Sequence, residues 1–205
     1  MRAGERAGLV RLGIATAVFA GGALVAHSTR PSAFEIGVFR RVNDLPNGFR
    51  VPFETVMQLG TLIAVIVVAG LVFLTSRWRT ALSVFVSGAV ADGVSHVMRG
   101  VVGRGRPVDL LTHVVVRGPR ITGFGYPSGH TTIATALVAA LAPSLPRPAR
   151  RVAWLAAGLV AIARVYVGAH FPLDVVGGLA LGTAVGSIVN LVAGRAGYTK
   201  GLRVP

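Results

Sequence analysis

Two histidines, one aspartate and several arginines of this sequence fall into three short groups whose residue types could bind an anion and react with it. The groups are Arg99 with Arg106-Pro107, then Pro127-Ser128-Gly129-His130, and then Arg164 with His170 and Asp174. Guanidinium groups bind phosphate oxygens through paired hydrogen bonds, and histidine is suited to proton transfer and nucleophilic attack near neutral pH. The three groups therefore indicate phosphoryl chemistry if the fold brings them together.

Ser128 and the residues that follow it predict the start of a helix. A serine directly before the largely apolar run 130–138 is typical of an N-cap. The free N–H groups of a helix N-terminus attract anions. A helix cap without any binding function explains Ser128 and His130 equally well. The prediction of an anion site therefore depends on the other two groups.

Together the three groups contain the parts of a metal-free phosphoryl-transfer site. Three arginine side chains and the backbone amides of Gly129 and His130 could surround one phosphoryl group. A histidine held by a carboxylate has a fixed tautomer, so its other ring nitrogen can attack. A second histidine can protonate the leaving alkoxide and then take a proton from water. At this point the residues leave open which histidine attacks.

Six apolar segments predict the elements that position these groups. The chain of 205 residues is 53% hydrophobic and 14% charged, with a mean hydropathy of +0.68, which is typical of a membrane protein. We expect an all-α fold, an integral membrane six-helix transmembrane bundle that forms one domain over residues 1–205. The predicted spans are residues 9–26, 53–74, 80–98, 129–145, 152–167 and 173–193. The first is expected to be an uncleaved helix.

The charge of the chain indicates which partners to expect. The formal net charge is +14, which in a soluble protein would suggest nucleic acid. Beside six apolar segments, anionic membrane lipid is the expected partner and nucleic acid is not. The sequence has no cysteine, so it can form neither a disulfide nor a cysteine-based metal site.

The third predicted span carries ionisable residues. Asp92, His96 and Arg99 are four and three residues apart, so a helix places them on one face. Ionisable groups inside a membrane helix are costly and are commonly functional. We expect Asp92 and His96 either to lie beneath Arg99 as supporting residues or to form a structural network between helices.

Connections between the spans complete the prediction. Gly168 and Pro172 indicate that the fifth helix ends before His170, which could then face Asp174 across the start of the sixth span. Loop 100–126 is long, and we expect its residues 108–125 to determine which lipid headgroup the site accepts. Residues 27–54 predict an interfacial segment and a turn, to which no chemistry is assigned.

The distribution of basic residues predicts the orientation in the membrane. The connections that carry the three groups all lie on one side of a six-span bundle. Lys and Arg outside the spans, among them Arg195, Lys200 and Arg203, favour cytoplasmic termini once Arg99 and Arg106 are set aside as functional. The site is then expected on the extracytoplasmic side of the cell membrane.

In order, spacing and residue type, the three groups resemble the signature of the type 2 phosphatidic acid phosphatase family of membrane lipid phosphatases. The pattern reads Arg99-x6-Arg106-Pro107, Pro127-Ser128-Gly129-His130 and Arg164-x5-His170-x3-Asp174. These motifs cover residues 99–174, and the six-helix layout extends the likeness to nearly the whole chain.

The resemblance implies a metal-independent hydrolase of a lipid phosphomonoester or diphosphate that needs no cofactor and forms a phosphohistidine. It implies that His170 is the nucleophile, that Asp174 orients it and that His130 is the general acid. The carboxylate four residues after His170 agrees with that assignment. The implied phosphate-binding residues are Arg99, Arg106, Ser128, Gly129 and Arg164.

Two positions depart from the usual pattern of the family. The family usually has lysine at the position of Arg99, and arginine keeps the charge while adding a planar donor fork, so we expect activity to be retained. The family usually has serine at the position of Ala163. Its absence removes one hydroxyl contact, which bears on efficiency or substrate range.

Other functions remain open at this stage. A lipid phosphotransferase would use the same intermediate with an alcohol as acceptor. A catalytically silent lipid-binding or transport protein is a second alternative, against which the intact His130, His170 and Asp174 argue. A metal site is disfavoured because three nearby arginines would repel a cation and the sequence lacks a close histidine pair; its ligands would have been His96, His130, His170, Asp92 and Asp174.

The sequence limits the substrate to a lipid phosphate at headgroup depth. A polyprenyl phosphate or diphosphate, phosphatidate, phosphatidylglycerol phosphate and a prenyl-linked sugar phosphate all fit this description. Neither the substrate nor the oligomeric state follows from the residues.

Overall fold

All regular secondary structure is helical in the part of the chain that the computed structural model describes, which is residues 3–28, 30–119 and 122–194. The helices are α1 (Ala3–Ser28), α2 (Ala33–Asn43), α3 (Arg50–Met57), α4 (Leu62–Leu74), α5 (Trp78–Val102), α6 (Pro107–Leu110), α7 (Gly129–Leu141), α8 (Arg147–Tyr166) and α9 (Pro172–Val192). No strand occurs in these ranges, which confirms the all-α prediction. The basic tail with Arg195, Lys200 and Arg203 lies outside the described residues.

Helix α7 lies at the centre of the bundle. It packs against α5, α8 and α9, and every one of its residues except His130 and Leu141 is buried. A helix that is apolar on all sides is stable only when neighbours enclose it, which explains the unbroken run of small and apolar residues after Thr132. The residues at its N-terminus are therefore held by three other helices.

Glycines spaced by four let α9 approach α7 closely. A Cβ atom at Gly178 would lie 2.8 Å from the carbonyl oxygen of Ser128, and one at Gly182 would collide with the carbonyl oxygen of Thr132. At Gly186 the same atom would lie 2.5 Å from the Cβ of Ala139. Small residues at such a spacing allow two membrane helices to pack backbone against backbone.

The outer surface of the bundle is apolar. Large hydrophobic side chains are exposed along the outer helices, for example Ile14, Leu24, Ile63, Ile66, Leu71, Val97 and Leu155. An exposed apolar surface of this extent is expected where lipid covers the protein. The protein is a multi-pass membrane protein.

The second predicted span is wrong in one respect, because residues 53–74 form two helices instead of one. The segments Asn47–Gly60 and Leu62–Leu74 meet at an angle of 66°. Gly60 packs against the backbone of His130, where a Cβ atom would collide with the carbonyl oxygen, and Thr61 is extended and caps α4 by accepting from the Ala64 N–H at 3.3 Å. The bend therefore places the turn Gln58–Gly60 against the start of α7 and α3 against α8.

The six predicted spans correspond to α1, α4, α5, α7, α8 and α9. By length and hydropathy alone, the described residues contain three candidate spans, Arg6–Ser28, Trp78–Leu110 and Pro172–Val192, or four if the bent pair counts as one. The central α7 has 13 residues, short of the roughly 20 that a lipid-facing helix needs to cross a bilayer. Each predicted span therefore has a helix, but only three or four segments of the described residues are long and apolar enough to be counted as spans.

Candidate active site

The three predicted phosphate-binding arginines lie together. Arg99 ends α5, Arg106 precedes α6, and Arg164 lies in the last turn of α8. Arg106 and Arg164 are 5% and 4% exposed, yet none of the three forms an ion pair with a carboxylate in the described part of the chain. Buried positive charges without a counter-charge are costly, so this arrangement favours a bound anion.

Each of these arginines is held in place by neutral groups. Arg99 Nη2 lies 3.0 Å from His96 Nδ1. Arg106 donates from Nε to the Gly123 carbonyl oxygen at 3.0 Å and from Nη1 to the Ala169 carbonyl oxygen at 2.9 Å. Arg164 donates to Met57 Sδ at 3.0 Å, while its buried Nε has no hydrogen-bond partner. The Arg164 side chain therefore keeps a donor available for a ligand.

The predicted residues of the second group form the N-terminus of α7 beside Arg99. Ser128 occupies the N-cap position, but its side chain does not cap the helix; instead its Oγ accepts from Thr131 Oγ1 at 3.1 Å. The Ser128 hydroxyl proton is thus free for a ligand. Gly129 adjoins the Arg99 guanidinium, since a Cβ atom there would lie 2.6 Å from Arg99 Nη1. The first N–H groups of α7 and this guanidinium therefore face one region.

His170 and Asp174 form the pair that the sequence predicts. Helix α8 ends at Tyr166, Gly168 adopts a positive φ of 79°, and α9 begins at Pro172, so His170 lies in the turn as expected. His170 Nδ1 lies 3.5 Å from Asp174 Oδ2, and both residues are buried. Asp174 Oδ2 also accepts from the N–H of Phe171 at 2.9 Å, which fixes the carboxylate at the start of α9.

The surroundings of His170 define its protonation and its free nitrogen. Arg106 Nη1 lies 3.3 Å from Nε2, and a guanidinium can only donate, so Nε2 carries the lone pair and Nδ1 the proton. Burial, and then the positive charges of Arg164, Arg106 and Arg99, lower the pKa of His170 well below its usual value. The imidazole is therefore neutral at physiological pH, with its lone pair on the side of the arginines.

His130 is close to the same groups. Arg164, His170 and Arg99 all act electrostatically on its ring, and it lines a cavity of about 360 Å³ together with Arg106 and Arg164. The structure thus brings together every predicted site residue: His170, His130, Asp174, Arg99, Arg106, Ser128, Gly129 and Arg164. Asp92 also attracts Arg99 electrostatically. Together with the His96 contact, this places both residues beside Arg99.

The loop predicted to select the headgroup forms part of the same cavity. Val108, Val116 and the segment 117–119 line it, opposite Glu54, Met57 and Gln58 from the bent second span. Arg117 holds the loop by donating to the carbonyl oxygens of Asn43, Tyr166 and Leu45 at 2.7–2.8 Å. Residues 120 and 121 lie outside the described part of the chain.

Sequence reasoning missed two charged residues at the site, Arg104 and Glu35. Arg104 Nη1 donates to Asp174 Oδ1 at 2.8 Å and to Glu35 Oε1 at 3.1 Å, and its Nη2 donates to Glu35 Oε2 at 2.6 Å. Glu35 lies in the first turn of α2, within the interfacial segment to which no chemistry was assigned. It is one of only 7 acidic residues in a chain with 21 basic ones, and that scarcity is a signal that could have singled it out.

Comparison with known proteins identifies relatives in sequence. The profile of the PAP2 superfamily matches residues 78–198. An undecaprenyl-diphosphatase of Sulfolobus acidocaldarius is 31% identical over 113 residues, covering 55% of this chain and 54% of its own. A lipid A 1-phosphatase of Rhizobium johnstonii is 33% identical over 109 residues, covering 51% and 44%. The chain thus spans about half the length of these two relatives.

Further relatives match over more of their length. A decaprenylphosphoryl-5-phosphoribose phosphatase of Mycobacterium tuberculosis is 33% identical over 132 residues, covering 63% of this chain and 71% of its own.

Two crystal structures share the fold. LpxE of Aquifex aeolicus has a TM-score of 0.71 at 24% identity, covering 77% of this chain and 95% of its own. A transmembrane PAP2-type phosphatidylglycerolphosphate phosphatase of Bacillus subtilis has a TM-score of 0.72 at 23% identity, covering 89% and 95%.

Proposed function

The chain belongs to the PAP2 superfamily, and from this membership and the geometry of the site we propose that it is a membrane phosphatase that hydrolyses a lipid phosphate through a phosphohistidine. One observation carries the proposal. The buried guanidinium groups of Arg106 and Arg164 and the partly exposed one of Arg99 form no ion pair with a carboxylate among the described residues. All three act electrostatically on His170, whose Nε2 accepts from Arg106 Nη1 at 3.3 Å while its Nδ1 faces the Asp174 carboxylate at 3.5 Å. This arrangement can bind a phosphoryl group and attack it.

In the first step, His170 Nε2 attacks phosphorus as the bond to the lipid oxygen breaks. Arg99, Arg106 and Arg164 stabilise the charge on the phosphoryl oxygens. The imidazole ring becomes positively charged when the nitrogen–phosphorus bond forms, and Asp174 stabilises that charge across Nδ1–H. The long Nδ1 contact in the unliganded site is expected to shorten at this stage, since catalytic hydrogen bonds often tighten only with substrate bound.

His130 serves both steps as acid and then as base. A bound phosphate dianion beside its ring favours the protonated form, which gives its proton to the leaving lipid alkoxide. The neutral His130 then takes a proton from water as the water oxygen attacks the phosphohistidine. The nitrogen–phosphorus bond breaks, His170 is restored, and inorganic phosphate leaves. A lipid monophosphate and water give lipid alcohol and orthophosphate, and a lipid diphosphate attacked at its terminal phosphorus gives lipid monophosphate and orthophosphate, the lipid monophosphate then being the leaving group that His130 protonates.

The proposed substrate is a lipid monophosphate or diphosphate. The relatives in sequence are named for activity on undecaprenyl diphosphate, lipid A and decaprenylphosphoryl-5-phosphoribose, and these names support a lipid-linked phosphate as the common element. The apolar outer surface supports delivery of such a substrate from the bilayer. No metal or other cofactor enters the proposed steps.

We also propose the orientation and organisation that the sequence predicts. Both termini lie in the cytoplasm, the site opens on the extracytoplasmic side, and the chain is a single domain over residues 1–205. The packing of α1 on α9 and of α2 and α3 on α8 supports one domain, because residues before the profile match contact helices within it. A reporter fused to the C-terminus that is active only outside the cell would contradict the orientation.

The deciding experiment measures orthophosphate release from a panel of lipid phosphates and diphosphates in detergent with a chelator present. His170→Ala is the blank. Release by the wild type that is absent in the blank supports the proposal, and equal release by both proteins refutes it. Repeating the assay with added alcohols and following phosphorylated products distinguishes hydrolysis from transfer to an alcohol.

A further inference from the structure

Arg104 connects the Asp174 carboxylate to a second carboxylate, Glu35, on a different helix. Arg104 and Asp174 are 4% and 0% exposed, and their charged atoms lie 2.8 Å apart. The Arg104–Glu35 contacts of 3.1 Å and 2.6 Å form a bidentate pair. Glu35 Oε1 also accepts from the N–H of Leu173 at 2.9 Å, so this carboxylate is fixed to the first turn of α9 next to Asp174.

This cluster gives the two sides of the His170 ring opposite electrostatic surroundings. Arg104 carries one positive charge and the two carboxylates carry two negative charges, so the cluster behind Nδ1 has a net charge of one negative unit. On the Nε2 side, the three arginines of the phosphate site form no ion pair with a carboxylate within residues 3–28, 30–119 and 122–194 as far as these are described. Without Glu35, Arg104 would neutralise Asp174, and the net negative charge behind Nδ1 would be lost.

The orientation of Asp174 depends on the same contact. Its two oxygens have different partners: Oδ1 accepts from Arg104, whereas Oδ2 accepts from the Phe171 N–H and faces His170. The Arg104 side chain also lies over the Phe171 ring, with 5.1 Å from Cζ to the ring centroid. The arginine thus holds the carboxylate so that one oxygen remains directed at the ring.

We propose that Glu35 and Arg104 are positioning residues that keep Asp174 both oriented and negatively charged while His170 is phosphorylated. The inference rests on the proposed function. When the Nε2–phosphorus bond forms and the bond to the lipid oxygen breaks, the ring gains the positive charge that Asp174 stabilises. Arg104 is already paired with two carboxylates and Glu35 is itself an anion, so neither should bind phosphate, and the loss of either should slow the reaction without weakening phosphate binding.

The test compares Glu35→Gln, Arg104→Met and Arg104→Lys with wild type. For each protein, kcat and KM are measured with a lipid phosphate, and the affinity and stoichiometry of orthophosphate binding are measured by calorimetry. Arg79→Met is the matched control, because it removes an exposed arginine that lies over the Trp78 ring, with 5.3 Å from Cζ to the ring centroid, at the end of α5 opposite Arg99. Wild type and His170→Ala are assayed in parallel.

We expect Glu35→Gln to lower kcat by about 10- to 100-fold, the range known for residues that orient a ligand through another side chain. KM and orthophosphate affinity should stay within about twofold of wild type, with one binding site per chain. Arg104→Met should lower kcat at least as much, and Arg104→Lys should recover part of it because the charge is kept. Arg79→Met should match wild type.

Wild-type kcat in Glu35→Gln would overturn the inference. A parallel loss of orthophosphate binding would overturn it too, since that result indicates a structural role in the phosphate site. If Arg104→Met does not fold, Glu35→Gln and Arg104→Lys still decide the matter, because both retain hydrogen-bonding groups at these positions. No turnover by wild type itself would instead refute the proposed function and, with it, any role in that reaction.

Discussion

Replacing Gly129 by alanine should impair catalysis without unfolding the protein. The Cβ atom would lie 2.6 Å from Arg99 Nη1 and 3.4 Å from Ser95 Oγ. The first contact is too short, but it involves the end of a flexible side chain, so Arg99 can retreat and the helix can stay. Gly129 has no positive φ, and alanine is the better helix former, so the backbone is not strained.

The size of the effect follows from the displacement. To restore an ordinary contact, Nη1 must move from 2.6 Å to at least 3.4 Å, a shift of 0.8 Å. A misplacement of about 1 Å in a catalytic arrangement can cost about 100-fold in rate. Because Arg99 is one of three arginines at the site, we expect kcat/KM to fall by about 10- to 100-fold, which corresponds to roughly 1.4–2.7 kcal/mol.

The assay is a double-mutant cycle in kcat/KM, with thermal unfolding in detergent followed for each protein. The variants are Gly129→Ala, Arg99→Met and the double variant. If the alanine acts by displacing Arg99, it should add little once Arg99 is absent, because the two changes remove one interaction. The melting temperature of Gly129→Ala should stay within a few degrees of wild type.

Either of two results would refute this reasoning. Wild-type kcat/KM in Gly129→Ala would mean that Arg99 does not need its position against α7. A full additional loss in the Arg99→Met background would mean that the methyl group blocks the phosphate itself. Gly158→Ala serves as the control, since no atom lies within 4 Å of its added Cβ.

Three further predictions concern the nucleophile and the packing. His170→Ala should abolish turnover, and Asp174→Asn should lower kcat by up to about 10⁴-fold, as for a triad histidine left in the wrong tautomer; measurable turnover in purified His170→Ala would exclude the mechanism. The pKa of His170 is lower in the folded protein than in the unfolded chain, where it is about 6.5. The contribution of His170 to the free energy of unfolding should therefore be complete above about pH 6.5 and decline as the pH falls below that value. Correspondingly, kcat/KM corrected for substrate ionisation should not fall through His170 protonation until well below pH 6.5, and an acid limb at 6.5 or above would contradict this. Gly182→Ala should destabilise the bundle by about 1–3 kcal/mol, because its Cβ meets the backbone of α7, whereas Gly158→Ala should not lower the melting temperature in the same scan.

The sequence predicts much of the site because its signals are local. His170 and Asp174 are four residues apart, and Gly168 and Pro172 mark the end of one helix and the start of the next. The contact between His170 and Asp174 can therefore be predicted from this spacing and from the residues of the turn. The start of α7 follows from Ser128 in the same way, although its hydroxyl proved to accept from Thr131 instead of capping the helix.

The bend in the second span could not be predicted, because its cause lies elsewhere in the chain. Gly60 and Thr61 sit within a run that is apolar enough to read as one helix. The close approach of Gly60 to the backbone of His130 joins residues 70 positions apart, and periodicity carries no information on such contacts. The bend matters for function because it brings Glu54, Met57 and Gln58 to the cavity.

Arg104 and Arg106 show why residue type alone could not complete the site. Both are arginines in the segment Gly103-Arg104-Gly105-Arg106, both are buried, and both approach the His170–Asp174 pair. The Arg106 guanidinium reaches His170 Nε2 and forms no ion pair with any carboxylate that the structure describes. Arg104 instead reaches Asp174 and pairs with Glu35, from a helix some 70 residues earlier. An arginine that is already paired with two carboxylates cannot attract a phosphate. Counting the arginines of this loop therefore gives one more phosphate-binding charge than the site has. The binding charge of the site is therefore set by Arg99, Arg106 and Arg164, and Arg104 acts on the opposite side of the histidine.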